Sequence, residues 1–369
     1  MKKFFTLLTV ITLTTGSTAT LISCAIPQDH HLNQDDKLLL IGKDIDTSKA
    51  VDDAESNLKF TNYYILGDSL SDSHGIEKLV KNNFNVNLKL GTDDKTKLED
   101  YQYGNFSNGK TAGVLLNDKL GFKNIEPAIP NDDSKFGRNY AIGGATAADV
   151  VGMGGILLNN VTMDKQARAL VSQHKLRNTD LVFIEIGGND LFQLVDISDP
   201  QSEIALMKQS INRIQEALFI LLNNGIRKII FSDDPNVSII PRYVNNANLK
   251  QRANDLSTEF HFRVKNAIET ANRYYEHAIR EWGLYDNLTV LMQEFKANHA
   301  KAELQVNFNV LDMDFMKILE TGVLNAKRNP NLPTSADVAD YFFFDDVHPT
   351  REVHQLAMEH YYDMVKEWR

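Results

Sequence analysis

Five short apolar runs, each stopping at a glycine or an acidic turn, are spread along this chain, with longer stretches of helical spacing between them. The first is Asn62-Tyr63-Tyr64-Ile65-Leu66, closed by Gly67-Asp68-Ser69. The second, Asn139-Tyr140-Ala141-Ile142, closes on Gly143-Gly144, and the third, Asp180 to Ile186, on Gly187-Gly188. Lys228-Ile229-Ile230-Phe231 is broken by Asp233-Asp234-Pro235, and Val306 to Leu311 is the fifth run. From Ser202 to Asn223, Ile204, Met207, Ile211, Ile214, Leu218 and Leu221 recur at helical spacing, and Asn224-Gly225 supplies a stop. Asn248 to Trp282 reads as one long helix with an apolar stripe, ended by Gly283. Shorter helices are expected over Gly109 to Gly121 and Val353 to Trp368. Strands alternating with helices predict a mainly parallel, five-stranded sheet in one three-layer α/β domain covering residues 59–369. Asp93-Asp94-Lys95 and Glu99-Asp100 mark 73–105 as a solvated, loop-rich insertion.

The start of the chain has a different character. Lys2 and Lys3 precede the apolar run Phe4 to Leu13, which is too short for a stable span, and small residues follow. Leu21-Ile22-Ser23-Cys24 then resembles a bacterial lipobox, in which the cysteine is lipidated and becomes the new N-terminus. The alternative is ordinary cleavage between small residues around Ser23 and Ala25. On either reading 1–24 is an export signal and the protein belongs to a bacterial cell envelope, as a lipoprotein of the outer membrane, or is secreted. Cys24 is the only cysteine, which excludes an internal disulfide, a catalytic thiol and a cysteine zinc site. Residues 25–58, rich in Asp and Glu, are expected to form a flexible acidic tether, despite the apolar patch Leu38-Leu39-Leu40-Ile41. The net charge of −10, or −12 once Lys2 and Lys3 are lost, argues against nucleic acid and against a purely electrostatic grip on anionic lipid.

The strand ends carry the chemistry. Open α/β sheets place ligands at their carboxyl edge, and Ser69 stands there after the first run. Gly144 follows the second and Asn189 the third, while Asp345-Asp346-Val347-His348-Pro349 lies near the C-terminus. Ester cleavage needs a nucleophile, a base, a group to orient the base, and donors for the tetrahedral oxyanion. Ser69 suits the first role and His348 the second. Asp345, three residues before His348, suits the third better than its neighbour Asp346. The backbone N–H groups of Ser69 and Gly144 and the side-chain amide of Asn189 suit the oxyanion hole. The bland reading is that Gly, Asp and Ser are simply turn formers. The other histidines read as surface or helix-face residues, and no metal site is expected.

Taken in order, these segments resemble the GDSL esterases and lipases, also called SGNH hydrolases. Gly67-Asp68-Ser69-Leu70-Ser71-Asp72 is similar to their first block, and Phe106-Ser107-Asn108-Gly109 to the Ser-Asn-Gly element after it. Asn139 to Thr146 is similar to the second block, Gly188-Asn189-Asp190 to the third, and Asp345 to Pro349 to the last. The resemblance runs from residue 62 to the C-terminus. It implies a flavodoxin-like sheet, an acyl-serine intermediate on Ser69, no metal or organic cofactor, and no obligate protein partner. Exported bacterial members similar to this chain are phospholipases A, lysophospholipases and related acyltransferases, so a lipid acyl ester is the expected substrate. A carbohydrate O-acetylesterase is the alternative within the enzyme class. A lipid- or glycan-binding surface lipoprotein that has lost catalysis is the alternative outside it.

Overall fold

The computed structural model describes residues 37–368 apart from 56–58, 124, 131, 133–135, 153, 234, 300–306 and 312–319. The expected signal segment, with Cys24, lies outside the described residues. Four parallel strands form the central sheet in chain order: β1 (Tyr63–Gly67), β2 (Leu181–Glu185), β3 (Ile229–Ser232) and β4 (Ile279–Glu281). Every residue of β1, β2 and β3 is buried, as a sheet covered on both faces requires.

The eight longer helices are α1 (Gly75–Phe84), α2 (Ala112–Leu120), α3 (Met163–Gln173), α4 (Gly188–Asp196), α5 (Pro200–Asn223), α6 (Ala247–Tyr274), α7 (Leu284–Asn298) and α8 (Arg351–Lys366). One layer is built from α2, α7 and α8, and the other from α3, α4, α5 and α6. The pleat divides the strand side chains between them. Tyr63 and Phe183 face the first layer, where the Tyr63 hydroxyl donates to Gly113 O and Phe183 packs edge-on against Tyr361 of α8. Tyr64 faces the second and packs against His174 at the end of α3. Among the described residues no helix is long and apolar enough to cross a membrane.

Three expectations are corrected. First, among the described residues the main sheet has four strands, not five. Asn139 to Ile142 does run along the free edge of β1, with Tyr140 N–H on Ile65 O and Ile142 N–H on Gly67 O, but it makes an isolated bridge only. The described part of the expected fifth strand, Asn309–Leu311, instead pairs antiparallel with Ala326–Arg328 away from the main sheet. Second, the long helix stops at Tyr274. Glu276 and His277 both take left-handed backbone, and the returning chain becomes β4. Asn272 clasps that return, donating to Ile279 O and accepting from Ile279 N–H. Third, 73–105 is not merely solvated loop, for it contains α1 and the buried Tyr101.

Residues 38–55, expected in the tether, belong to the folded unit. Leu38 and Ile41 pack on the core, and Asn223 Nδ2 donates to the carbonyl oxygens of both. Val51 N–H bonds Gln173 O. The acidic residues here are counter-charges: buried Arg138 meets Glu55 at 2.7 Å and Asp53 at 3.3 Å, and Asp53 also takes His174 Nδ1. A guanidinium out of water is stable only while so paired. A protein truncated to begin at residue 59 is therefore expected to lose about 3 kcal/mol against the full chain. Urea unfolding midpoints check this; equal midpoints would restore the tether.

Candidate active site

Ser69 sits on the turn that leaves β1. The chain reverses there because Asp68 O accepts from Ser71 N–H and Asp68 Oδ1 from Leu70 N–H. Gly67 allows β1 to close on β2, since a Cβ at this position would lie 2.2 Å from Glu185 O. Asp68 and Ser71 are buried on either side, and Ser71 donates its hydroxyl to Glu185 Oε2 at 2.6 Å. Ser69 itself is half-buried, so its Oγ alone in this turn is both held and reachable.

Opposite it, His348 Nε2 lies 2.8 Å from Ser69 Oγ, and His348 Nδ1 lies 2.7 Å from Asp345 Oδ2. Asp345 is fully buried. Burial opposes its ionisation, but the charge and bond of His348 and the bond from Tyr101 outweigh that and hold its carboxyl below the usual range. Asp345 is then an acceptor only, Nδ1 carries the proton, and Nε2 is left to accept from the Ser69 hydroxyl. The other Asp345 oxygen accepts the backbone N–H groups of Val347 and His348. Asp346 turns away to pair with Arg242 at 2.9 Å. Phe106 stacks on the imidazole, with ring centres 5.2 Å apart.

Gly144 and Asn189 stand at the ends of the neighbouring segments, half-buried among buried neighbours. Gly144 needs its glycine because its φ is +81°. Two buried carboxylates clamp the loop that carries it. Asp72 accepts Gly143 N–H on one side, together with Gly75 and Ile76 N–H. Asp190 accepts Ala147 and Ala148 N–H on the other, along with the Ser210 hydroxyl. Asn189 Nδ2 donates to Ala145 O at 3.0 Å, which uses one of its two hydrogens. Among the described residues the backbone N–H groups of Ser69 and Gly144 have no partner within the protein. The three expected oxyanion donors thus lie at the carboxyl ends of adjacent segments, with donor capacity to spare.

Burial also pushes Asp68 and Asp72 up to about 7 and Glu185 to about 8. The sequence assigns no role to Tyr101, Phe106, Asp72, Asp190 or Glu185, although Phe106, Asp72 and Asp190 stand inside its motifs. The aromatic spacing Tyr101-x-Tyr103-x-x-Phe106, leading into Ser107-Asn108-Gly109, was the available signal for Tyr101 and Phe106. Among the described residues, one group has metal-ligand spacing: Asp233, His261 and Glu281, whose ligand atoms lie within 4.8 Å. His261 Nδ1 is bonded to Asp233 Oδ2 at 2.5 Å, and its ring stacks on Tyr285. This cluster lies at the ends of β3 and β4, apart from Ser69.

The profile of the GDSL-like lipase/acylhydrolase family matches residues 63–361. A GDSL esterase/lipase of Arabidopsis thaliana is 24% identical over 269 residues, which is 64% of this chain and 68% of that protein. A second from the same plant is 24% identical over 332 residues, covering 80% and 87%. The secreted effector protein SseJ of Salmonella typhimurium is 24% identical over 298 residues, covering 80% of this chain and 61% of the effector. Among solved structures, the acetylxylan esterase Axe2 of Geobacillus stearothermophilus overlaps 84% of this chain and 94% of its own at 13% identity, with a TM-score of 0.37.

Proposed function

This chain belongs to the GDSL-like lipase/acylhydrolase family and is a carboxylic ester hydrolase, and from that premise we propose that it deacylates lysophospholipids and other single-chain amphiphiles. The observation that carries the mechanism is the unbroken hydrogen-bonded chain from Ser69 Oγ through His348 to Asp345. His348 Nε2 takes the hydroxyl proton as Ser69 Oγ attacks the ester carbonyl. The oxyanion is received by Ser69 N–H, Gly144 N–H and Asn189 Nδ2. His348 then returns the proton to the departing alcohol, which leaves an acyl-Ser69. Water, activated by the same imidazole, completes hydrolysis; a second alcohol entering instead gives acyl transfer.

The lipid assignment rests on what surrounds the serine. Leu70, Val347 and Pro349 line a small apolar cavity of about 40 Å³, room for one or a few waters, which cannot take a long acyl chain. A 570 Å³ cleft behind the His348 loop is lined by Tyr103, Asn108 and Arg351 but by none of Ser69, Gly144 or Asn189. We take an acyl chain to run over the outer surface beside Gly144. Beside Gly144 stand the segment 149–152, where Arg213 holds Asp149 and Asn159 accepts Val150 N–H, and the helical turn Gly155–Leu158. Leu158 packs against Gly144, whereas Val151 and Ile156 are 79% and 65% exposed. Branched aliphatics displayed beside a catalytic mouth suit an acyl chain or a lipid surface. The net charge of −10 favours zwitterionic or neutral amphiphiles. An exported protein anchored through Cys24 would meet such lipids at the envelope.

The test is a panel of lysophospholipid, diacyl phospholipid, p-nitrophenyl esters of graded length and acetylated sugar. Long-chain amphiphiles are expected to be preferred, and a preference for acetyl esters would replace this reading with carbohydrate deacetylation. Changing Val151 and Ile156 together to serine is expected to cut turnover of micellar lysophospholipid by about 10-fold, the scale of losing one buried aliphatic contact. Hydrolysis of p-nitrophenyl acetate should stay unchanged.

A further inference from the structure

Asp345 Oδ2 is shared. It accepts His348 Nδ1–H, and it also accepts the Tyr101 hydroxyl at 2.6 Å. Tyr101 is fully buried, with its ring edge-on to Phe106 and Phe344. Its backbone is fixed too: Tyr101 O accepts Thr92 N–H, and Gly91, at φ +63°, brings the chain so close that a Cβ would lie 2.1 Å from Tyr101 O. Burial and then the Asp345 charge hold the phenol proton firmly on Tyr101, so the hydroxyl is a donor.

We propose that Tyr101 is a positioning residue of the acyl-transfer centre, drawing off part of the Asp345 charge and so setting the pH at which His348 becomes a base. The proposal rests on the catalytic reading above. A buried carboxylate with His348 as its only side-chain donor would direct its charge at the imidazole and favour the protonated ring. A second donor on the same oxygen moderates that pull and fixes Oδ2 where Nδ1 needs it. Other charges face this group. Asp68 approaches His348 from the turn after β1, and His354 approaches it from α8. Asp100 and Asp346 lie near Tyr101, the latter paired with Arg242. Asp68, at about 7, titrates in the same window and must be separated from the effect.

Tyr101→Phe removes only the hydroxyl and keeps the ring between Phe106 and Phe344. In the full chain, kcat/KM for p-nitrophenyl acetate is followed from pH 5 to 9. The acidic limb is expected to move up by about half a pH unit or more, with KM unchanged. The same displacement should appear when both proteins carry Asp68→Asn. Site-specific fluorotyrosine in place of Tyr101, a stronger donor, should move the limb the other way; it keeps the question open to measurement if the phenylalanine variant fails to fold. Profiles that superimpose on the unaltered protein's would overturn the proposal, because a purely structural tyrosine leaves the limb in place. Failure of the catalytic reading looks different: the folded protein would cleave no ester, or would cleave it as well with Ser69→Ala.

Discussion

Ser69→Ala is expected to lower ester hydrolysis by about 10⁴-fold or more, the scale on which losing the nucleophile of a serine–histidine–acid unit acts. The cost to folding should be small. Ser69 Oγ is half-buried and makes one side-chain bond, to His348, and the turn around it is held by Asp68 and Gly67 instead. A fluorophosphonate should label the unaltered protein at Ser69 and leave the alanine variant unmarked. Ser71 provides the internal contrast. It lies two residues away, but its hydroxyl is buried and committed to Glu185, so Ser71→Ala should still be labelled at Ser69. Folded, unaltered protein that takes up no label would sink the mechanism, as would a Ser69→Ala variant retaining a tenth of the activity.

What could be read in advance follows from how local each feature is. The runs at Tyr63, Leu181 and Ile229 are continuous apolar segments ending on glycine or a polar turn, and each became a strand. The strand Ile279–Glu281 was hidden. It has three residues, two of them charged, and joins α6 across Glu276 and His277, with no glycine or proline to mark the reversal. Its register is held by Asn272, whose side chain clasps the backbone of Ile279, a device that apolar periodicity does not register. Likewise, the acidic segment before residue 56 looked solvated because its partner, Arg138, lies more than eighty residues away in sequence.

The candidate site divides along the same line. Ser69, Gly144, Asn189, Asp345 and His348 occur in short polar motifs that follow one another in a recognisable order, and the chain brings Ser69, His348 and Asp345 into direct contact. Asp72 and Asp190 stand inside those same motifs, yet their work is to hold the loop that carries Gly144, and that is visible only when the loop is in place. Tyr101 is the extreme case. It comes from a segment dominated by exposed charges, and its bond to Asp345 spans 244 residues.

The clamps on that loop make Asn189 separable from its neighbours. Asn189→Ala removes the proposed oxyanion donor, which gives the fold one bond, to Ala145 O. Turnover should fall by about 10²–10³-fold with KM little changed, and stability by about 1 kcal/mol or less. Asp190→Ala touches the same loop with the opposite balance. It strips two backbone N–H groups and the Ser210 hydroxyl of a buried acceptor, so its lost activity should come with a markedly lower unfolding midpoint. Measuring kcat, KM and urea midpoint on both variants separates a residue that meets the transition state from one that holds it in position. If Asn189→Ala turns over at the unaltered rate, the amide is outside the reaction, and Ser69 and Gly144 would be left as the oxyanion's donors.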